Sequence, residues 1–117
     1  MSGAPDMLER AVEVRTDAVR HLTALAGDAS MCAIGRSGRS FPAAKYHEGR
    51  QAAAGQLLRL LRQEPSNLED ARHDEIIERV TSQWRRVLDD AATKGPDWAA
   101  YASGGLDAVA DVVEPRQ

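Results

Sequence analysis

The segment SNLEDARHDEIIERVTSQWRRVLDDA, residues 66–91, decides the fold class of this chain. Its apolar residues recur at spacings of three and four over about four turns, which places them on one face of an α-helix. They are Ile76, Ile77, Val80, Trp84, Val87, Leu88 and Ala91. Ser66 and Glu69 fit a capping box at the start, and Gly95 followed by Pro96 predicts the end. The segment is therefore predicted to be an amphipathic helix that packs against a core.

Three further segments carry helical patterns. We predict a first helix over residues 5–26, a second over 42–63, and a fourth that starts with Asp97 as its cap and kinks or breaks at residues 103–105. The apolar stripe of the first helix comprises Leu8, Ala11, Val12, Val19, Leu22 and Leu25. No alternation of apolar and polar residues is long enough for a strand. The pattern predicts an all-α fold, an antiparallel helical bundle of about four helices, with one longer loop at 28–41 between helices one and two.

Length and composition narrow the class of protein. The 117 residues suit a single helical domain, with a frayed tail expected at 113–117, and the low aromatic content of 4% predicts an aliphatic core. Cys32 is the only cysteine, which excludes an intramolecular disulfide and a multi-cysteine zinc site. There is no secretory signal pattern and no apolar run of about 20 residues. We therefore expect a cytoplasmic protein without a membrane segment.

Glycine and aromatic positions favour packing between helices. Gly49 lies four residues before Ala53, so a neighbouring helix can approach the second helix closely there. Trp98 and Tyr101 share one face of the fourth helix and suit a contact between subunits. The sequence shows no catalytic constellation and no cofactor motif. The favoured interpretation is a non-enzymatic interaction or regulatory module that associates with itself or another protein, with Gly49, Ala53, Trp98 and Tyr101 as interface residues.

The charge distribution supports an alternative function, nucleic-acid binding. The net charge is −3, but residues 31–62 carry six basic side chains and one acidic side chain. The loop over 35–40 combines two glycines with two arginines before a predicted helix, a pattern that suits anions. The predicted contact residues are Arg36, Ser37, Gly38, Arg39, Lys45 and Arg50. The competing interpretation is internal pairing, with Arg59 and Arg62 facing the acidic start of the third helix.

A second alternative is a small enzyme or metal-binding protein. Its candidate residues are His21, Cys32, His47 and His73, which are scattered along the sequence and lack the spacing of a known ligand motif. We therefore predict no catalytic residue, no metal ligand and no cofactor.

Overall fold

The computed structural model of the chain describes residues 4–26, 42–63 and 70–114, and these residues form four α-helices without a strand. The helices are α1 (Ala4–Ala26), α2 (Pro42–Arg62), α3 (Asp70–Ala91) and α4 (Pro96–Val113). The all-α bundle predicted from the apolar spacing is confirmed. The bounds of α1 and α2 agree with the predicted ones to within one residue.

Three predicted features lie outside the described residues. They are the long loop over 28–41, the capping box of Ser66 and Glu69, and the tail over 115–117. Val113, where the frayed tail was expected to begin, is the last residue of α4 and is half-buried.

The turn between α3 and α4 follows the glycine-proline signal. The amides of Lys94 and Gly95 both donate to the carbonyl of Ala91, at 3.0 and 3.2 Å. Gly95 has a φ of 105°, a left-handed conformation that side chains with a Cβ rarely adopt. Pro96 then begins α4, with Gly95 at the cap position and no side-chain cap. Asp97 lies inside the first turn, so its predicted role as cap is wrong; its charge instead complements the positive end of the helix dipole.

Helices α2 and α4 form the centre of the bundle. α1 packs mainly on α2 and α3 mainly on α4, and contacts between α1 and α3 are few. His21 near the end of α1 stacks on His47 near the start of α2, so these helices are antiparallel. Arg10 near the start of α1 donates to the carbonyl of Val112 at the end of α4. Consecutive helices thus alternate in direction, and α2 and α4 run the same way.

The central pair meets backbone to backbone at two glycines. A Cβ placed on Gly49 would lie 2.0 Å from the carbonyl oxygen of Tyr101, and one on Gly104 would lie 2.0 Å from the carbonyl oxygen of Tyr46. A Cβ on Gly105 would lie 2.1 Å from the ring of Trp84. α4 runs without interruption through these glycines, so the predicted kink is wrong. The glycines give room for neighbouring atoms, and tertiary packing overrides their low helix propensity.

The core is aliphatic apart from one tryptophan, as the composition predicted. Leu57, Leu58, Val80 and Val112 are its largest fully buried side chains. Trp84 is buried and its indole Nε1–H donates to Oε1 of Gln56 at 3.1 Å. This hydrogen bond satisfies the one polar group of the indole.

The buried face of α1 differs from the predicted stripe. The residues that α1 buries are Met7, Ala11, Val14 and Ala18, whereas Val12 and Val19 are 36% and 38% exposed. Leu8 and Leu22 are half-buried. α1 therefore carries a second apolar stripe beside its core face; Leu8 at the start of this stripe also packs against the core, whereas Val12 and Val19 are exposed.

Candidate functional site

A line of polar side chains crosses between α2 and α4 and reaches α1. Arg50 donates from Nη1 to Asp111 Oδ2 at 2.8 Å and from Nη2 to Asp17 Oδ2 at 3.4 Å. One turn earlier on α2, the hydroxyl of Tyr46 donates to Asp107. We call these five residues the polar seam. Its contacts join three helices through charged hydrogen bonds, which are stronger than neutral ones.

Arg50 is held in its charged form inside this seam. Burial by itself lowers the pKa of Arg50, but the hydrogen bond and the charge of Asp111, with Tyr46 and Asp17, raise the pKa above its ordinary value. The side chain of Arg50 is 10% exposed and that of Asp111 is 16% exposed. This corrects the predicted role of Arg50, because a cation already paired inside the bundle does not reach a nucleic-acid phosphate.

Two histidines stack beside the polar seam. The rings of His21 and His47 lie 4.5 Å apart between centroids, and Nδ1 of His21 lies 3.5 Å from a carboxylate oxygen of Asp17. Nδ1 of His47 is buried without a hydrogen-bond partner among the described atoms. Burial, followed by the charges of His21 and Arg50, lowers the pKa of His47 below 6.5, and the charge of Asp17 opposes them. The folded protein therefore favours the neutral form of His47.

Of the candidate residues for an enzyme or a metal site, the described part of the chain brings together only His21 and His47. His73 is buried, 3% exposed, on α3, away from the stacked pair of His21 and His47. Cys32 lies outside the described residues. Within residues 4–26, 42–63 and 70–114, no three histidine, cysteine or acidic side chains are arranged to hold a metal ion.

A surface pocket of about 500 Å³ lies where α2 and α4 begin. Its lining comprises Lys45, Lys94, Asp97, Trp98 and Tyr101, and we call it the lysine pocket. Nζ of Lys94 lies 5.0 Å from the centroid of the Trp98 ring. That ring contacts Tyr101 edge-on at 5.8 Å, and it is 48% exposed. The pocket thus offers an accessible indole in a lining that also contains two lysines.

The second apolar stripe of α1 forms a separate surface feature. We call it the outer stripe; its members are Leu8, Val12, Val19 and Leu22. A groove beside its first half is lined by Leu8, Val12 and Arg62 together with Glu9 and Glu13. The outer stripe is thus a row of partly exposed aliphatic side chains with acidic side chains next to it.

The structure separates the predicted interface residues into two groups. Gly49 and Ala53 are buried against α4 of the same chain, so the predicted close approach occurs within the chain and does not leave these residues for a second copy. Trp98 and Tyr101 lie together in the lysine pocket, with Trp98 on the surface.

The predicted anion site is only partly described. Arg36, Ser37, Gly38 and Arg39 lie outside the described residues. Lys45 is exposed on the first turns of α2 and pairs with Glu48 at 3.1 Å. Within the described residues, the pairing in this basic segment involves Lys45 and Arg50. Arg59 and Arg62 lie exposed at the end of α2, and the side chains of Glu69 and Asp70, two of their predicted partners, lie outside the described part of the chain.

Sequence reasoning missed Lys94 and the outer stripe as surface features. A signal for each was present. Lys45 and Lys94 are the only lysines among the 15 basic residues of the chain. Val12 and Val19 are seven residues apart, the repeat of a coiled-coil seam.

The fold places the protein in the class of all-α, four-helix bundles. The polar seam lies inside this bundle, and the lysine pocket lies at one end of it. Comparisons with protein families, with characterised proteins and with solved structures find no match. None of the described helices is both long enough and apolar enough to cross a membrane.

Proposed function

We propose that this chain is a non-enzymatic helical interaction module that associates with a second copy of itself through the outer stripe of α1. The observation that carries the proposal is the outer stripe itself: Leu8, Val12, Val19 and Leu22 remain partly exposed although Met7, Ala11, Val14 and Ala18 already provide the core face of α1. A second apolar stripe beside the core face is not needed for folding of one chain. It is suited to a contact between helices of two chains.

The spacing of the outer stripe is that of a coiled-coil seam. Leu8 to Val12 is four residues, Val12 to Val19 is seven, and Val19 to Leu22 is three. In a heptad repeat, the valines take one core position and the leucines the other. Arg15 occupies the remaining core position, but its side chain leans towards α2, where Cδ lies 4.0 Å from the place of a Cβ on Gly55.

Charge favours an antiparallel pairing of the two α1 helices. On α1, the exposed surface beside the outer stripe carries Glu9 and Glu13 in its first half and Arg20 in its second half. Arg62 of α2 borders the first half, where the two glutamates outnumber it. A two-fold axis across α1 brings the acidic end of one copy to the basic end of the other, whereas a parallel pairing places like charges together. The occupant of the outer stripe is therefore a second copy in the antiparallel direction.

Nucleic-acid binding has weaker support from the described residues. Of the six predicted contact residues, the structure describes Lys45 and Arg50. Arg50 is paired with Asp111 inside the bundle, which leaves Lys45 as the one exposed residue of the set within the described part of the chain. Self-association is therefore the function that the described geometry supports best.

The test compares the wild-type chain with the Val12→Asp/Val19→Asp double variant by light scattering coupled to size-exclusion chromatography at tens of micromolar. We expect a wild-type dimer and a monomeric double variant with an unchanged helical circular dichroism spectrum. Ala24→Asp is the matched control, because Ala24 is exposed on the other side of α1 from the outer stripe. A wild-type monomer at this concentration, or a double variant that dimerises as well as Ala24→Asp, contradicts the proposal.

A further inference from the structure

We propose that the lysine pocket binds a small ligand that combines a planar aromatic ring with an anionic group, a ligand of the size and chemistry of a mononucleotide. The proposal is independent of self-association, because the pocket lies at the start of α2 and α4 and none of its described lining residues belongs to α1. Its volume, about 500 Å³, falls within the ordinary range for small-molecule sites.

Both lysines of the chain line this one pocket. Lys45 is in the first turns of α2, and Lys94 is in the turn before α4, 49 residues later in the sequence. The other basic residues of the chain are all arginines. The fold therefore brings two flexible side chains with ammonium groups from distant segments into the lining of the same cavity, where each is a potential donor to an anionic group.

The indole of Trp98 supplies a stacking surface next to these cations. The ring is 48% exposed, and it is supported edge-on by Tyr101, which packs on the buried Trp84 at 5.2 Å. The Trp98 ring is thus connected to the core through a series of aromatic contacts. Nζ of Lys94 lies 5.0 Å from the centroid of the Trp98 ring, so a charged group already occupies a position beside this ring. An aromatic ligand can stack on an exposed indole of this kind.

The other charges around the pocket narrow the ligand class. Asp97 lines the pocket, and Glu48 pairs with Lys45 at 3.1 Å, so the site is not uniformly positive. A purely anionic ligand such as inorganic phosphate meets these carboxylates and gains nothing from Trp98. An uncharged aromatic ligand can stack on Trp98 but makes no ionic contact with Lys45 or Lys94. The combination of ring and anion is the ligand chemistry that uses both features.

The experiment titrates adenosine monophosphate into the full chain and follows the indole Nε1–H resonance of Trp98 by two-dimensional NMR, with the signal assigned from a Trp98→Phe spectrum. We expect a saturable shift of the Trp98 resonance while that of the buried Trp84 stays in place. Adenosine alone and inorganic phosphate alone are each expected to bind at least about tenfold more weakly. Lys45→Met and Lys94→Met are each expected to weaken binding of adenosine monophosphate by about tenfold.

Arg59→Met is the matched control, since it removes one exposed positive charge from the last turn of α2, at the other end of that helix from the pocket. It should leave the affinity unchanged. The proposal is overturned if Trp98 does not respond to millimolar adenosine monophosphate, if phosphate binds as tightly, or if Arg59→Met weakens binding as much as Lys94→Met. Binding of a single-stranded oligonucleotide without binding of the mononucleotide overturns it as well.

Discussion

The substitution Gly49→Ala is the sharpest test of how the central helices pack. The new methyl group would lie 2.0 Å from the carbonyl oxygen of Tyr101, so the backbones of α2 and α4 must separate by about 1 Å or more to restore an ordinary contact. Overpacking of this kind costs about 1–3 kcal/mol, and two rigid backbones place the cost at the upper end. The better helix propensity of alanine returns about 1 kcal/mol. We therefore expect the free energy of unfolding to fall by about 2 kcal/mol.

Gly55→Ala is the matched control on the same helix. The nearest atom to a Cβ on Gly55 is Cδ of Arg15 at 4.0 Å, an ordinary contact, so this substitution is expected to stabilise the protein by about 0.5–1 kcal/mol. The two variants should therefore differ by about 3 kcal/mol in urea unfolding followed by far-ultraviolet circular dichroism at one fixed protein concentration. If Gly49→Ala is as stable as Gly55→Ala, the reasoning about backbone contact is refuted.

Two further predictions concern the polar seam and the stacked histidines. Asp111→Asn removes the main charged partner of Arg50 and should lower the free energy of unfolding by about 1.5–3 kcal/mol. The control Asp90→Asn, on the exposed end of α3, should change this free energy by less than about 0.5 kcal/mol in the same urea experiment. Equal effects of the two substitutions would contradict the assigned pairing. The lowered pKa of His47 means that its contribution to stability is present above pH 6.5 and is lost as the pH falls through 6.5 towards the folded pKa. His47→Gln should therefore reduce the loss of stability between about pH 7.5 and about pH 5.5 relative to the wild type, and an unchanged pH dependence would show that His47 is not its source.

The helices could be predicted from the sequence because their signals are local. The three- and four-residue spacing in residues 66–91 and the turn at Gly95 and Pro96 depend only on neighbours along the chain, and the structure confirms both. The buried face of α1, in contrast, could not be predicted from a local signal. Val12 and Val14 both fit a helical stripe, and which of them faces the core depends on α2 and α4, which the local pattern does not specify.

Parts of the candidate sites could not be predicted because they depend on distant segments. Arg50 was predicted to be a nucleic-acid contact, but Asp111, 61 residues later, pairs with it inside the bundle. The kink at Gly104 was predicted from helix propensity alone, whereas the glycine is required by the approach of α2. The sequence around Lys94 does not indicate a site, because the pocket that Lys94 shares with Lys45 forms only in the folded chain.

The two glycines at the centre of the bundle also fix the axial register of α2 and α4. Each glycine leaves room for a main-chain carbonyl of the opposite helix, so any displacement of α4 that brings a residue with a Cβ opposite Tyr46 in place of Gly104 would meet the backbone there. Aliphatic side chains such as Leu57 and Val112 could adapt to a slide, since they change rotamer, but a main-chain contact cannot. The alignment of this pair is therefore specified by the lack of side chains at two positions together with the hydrogen bonds of the polar seam.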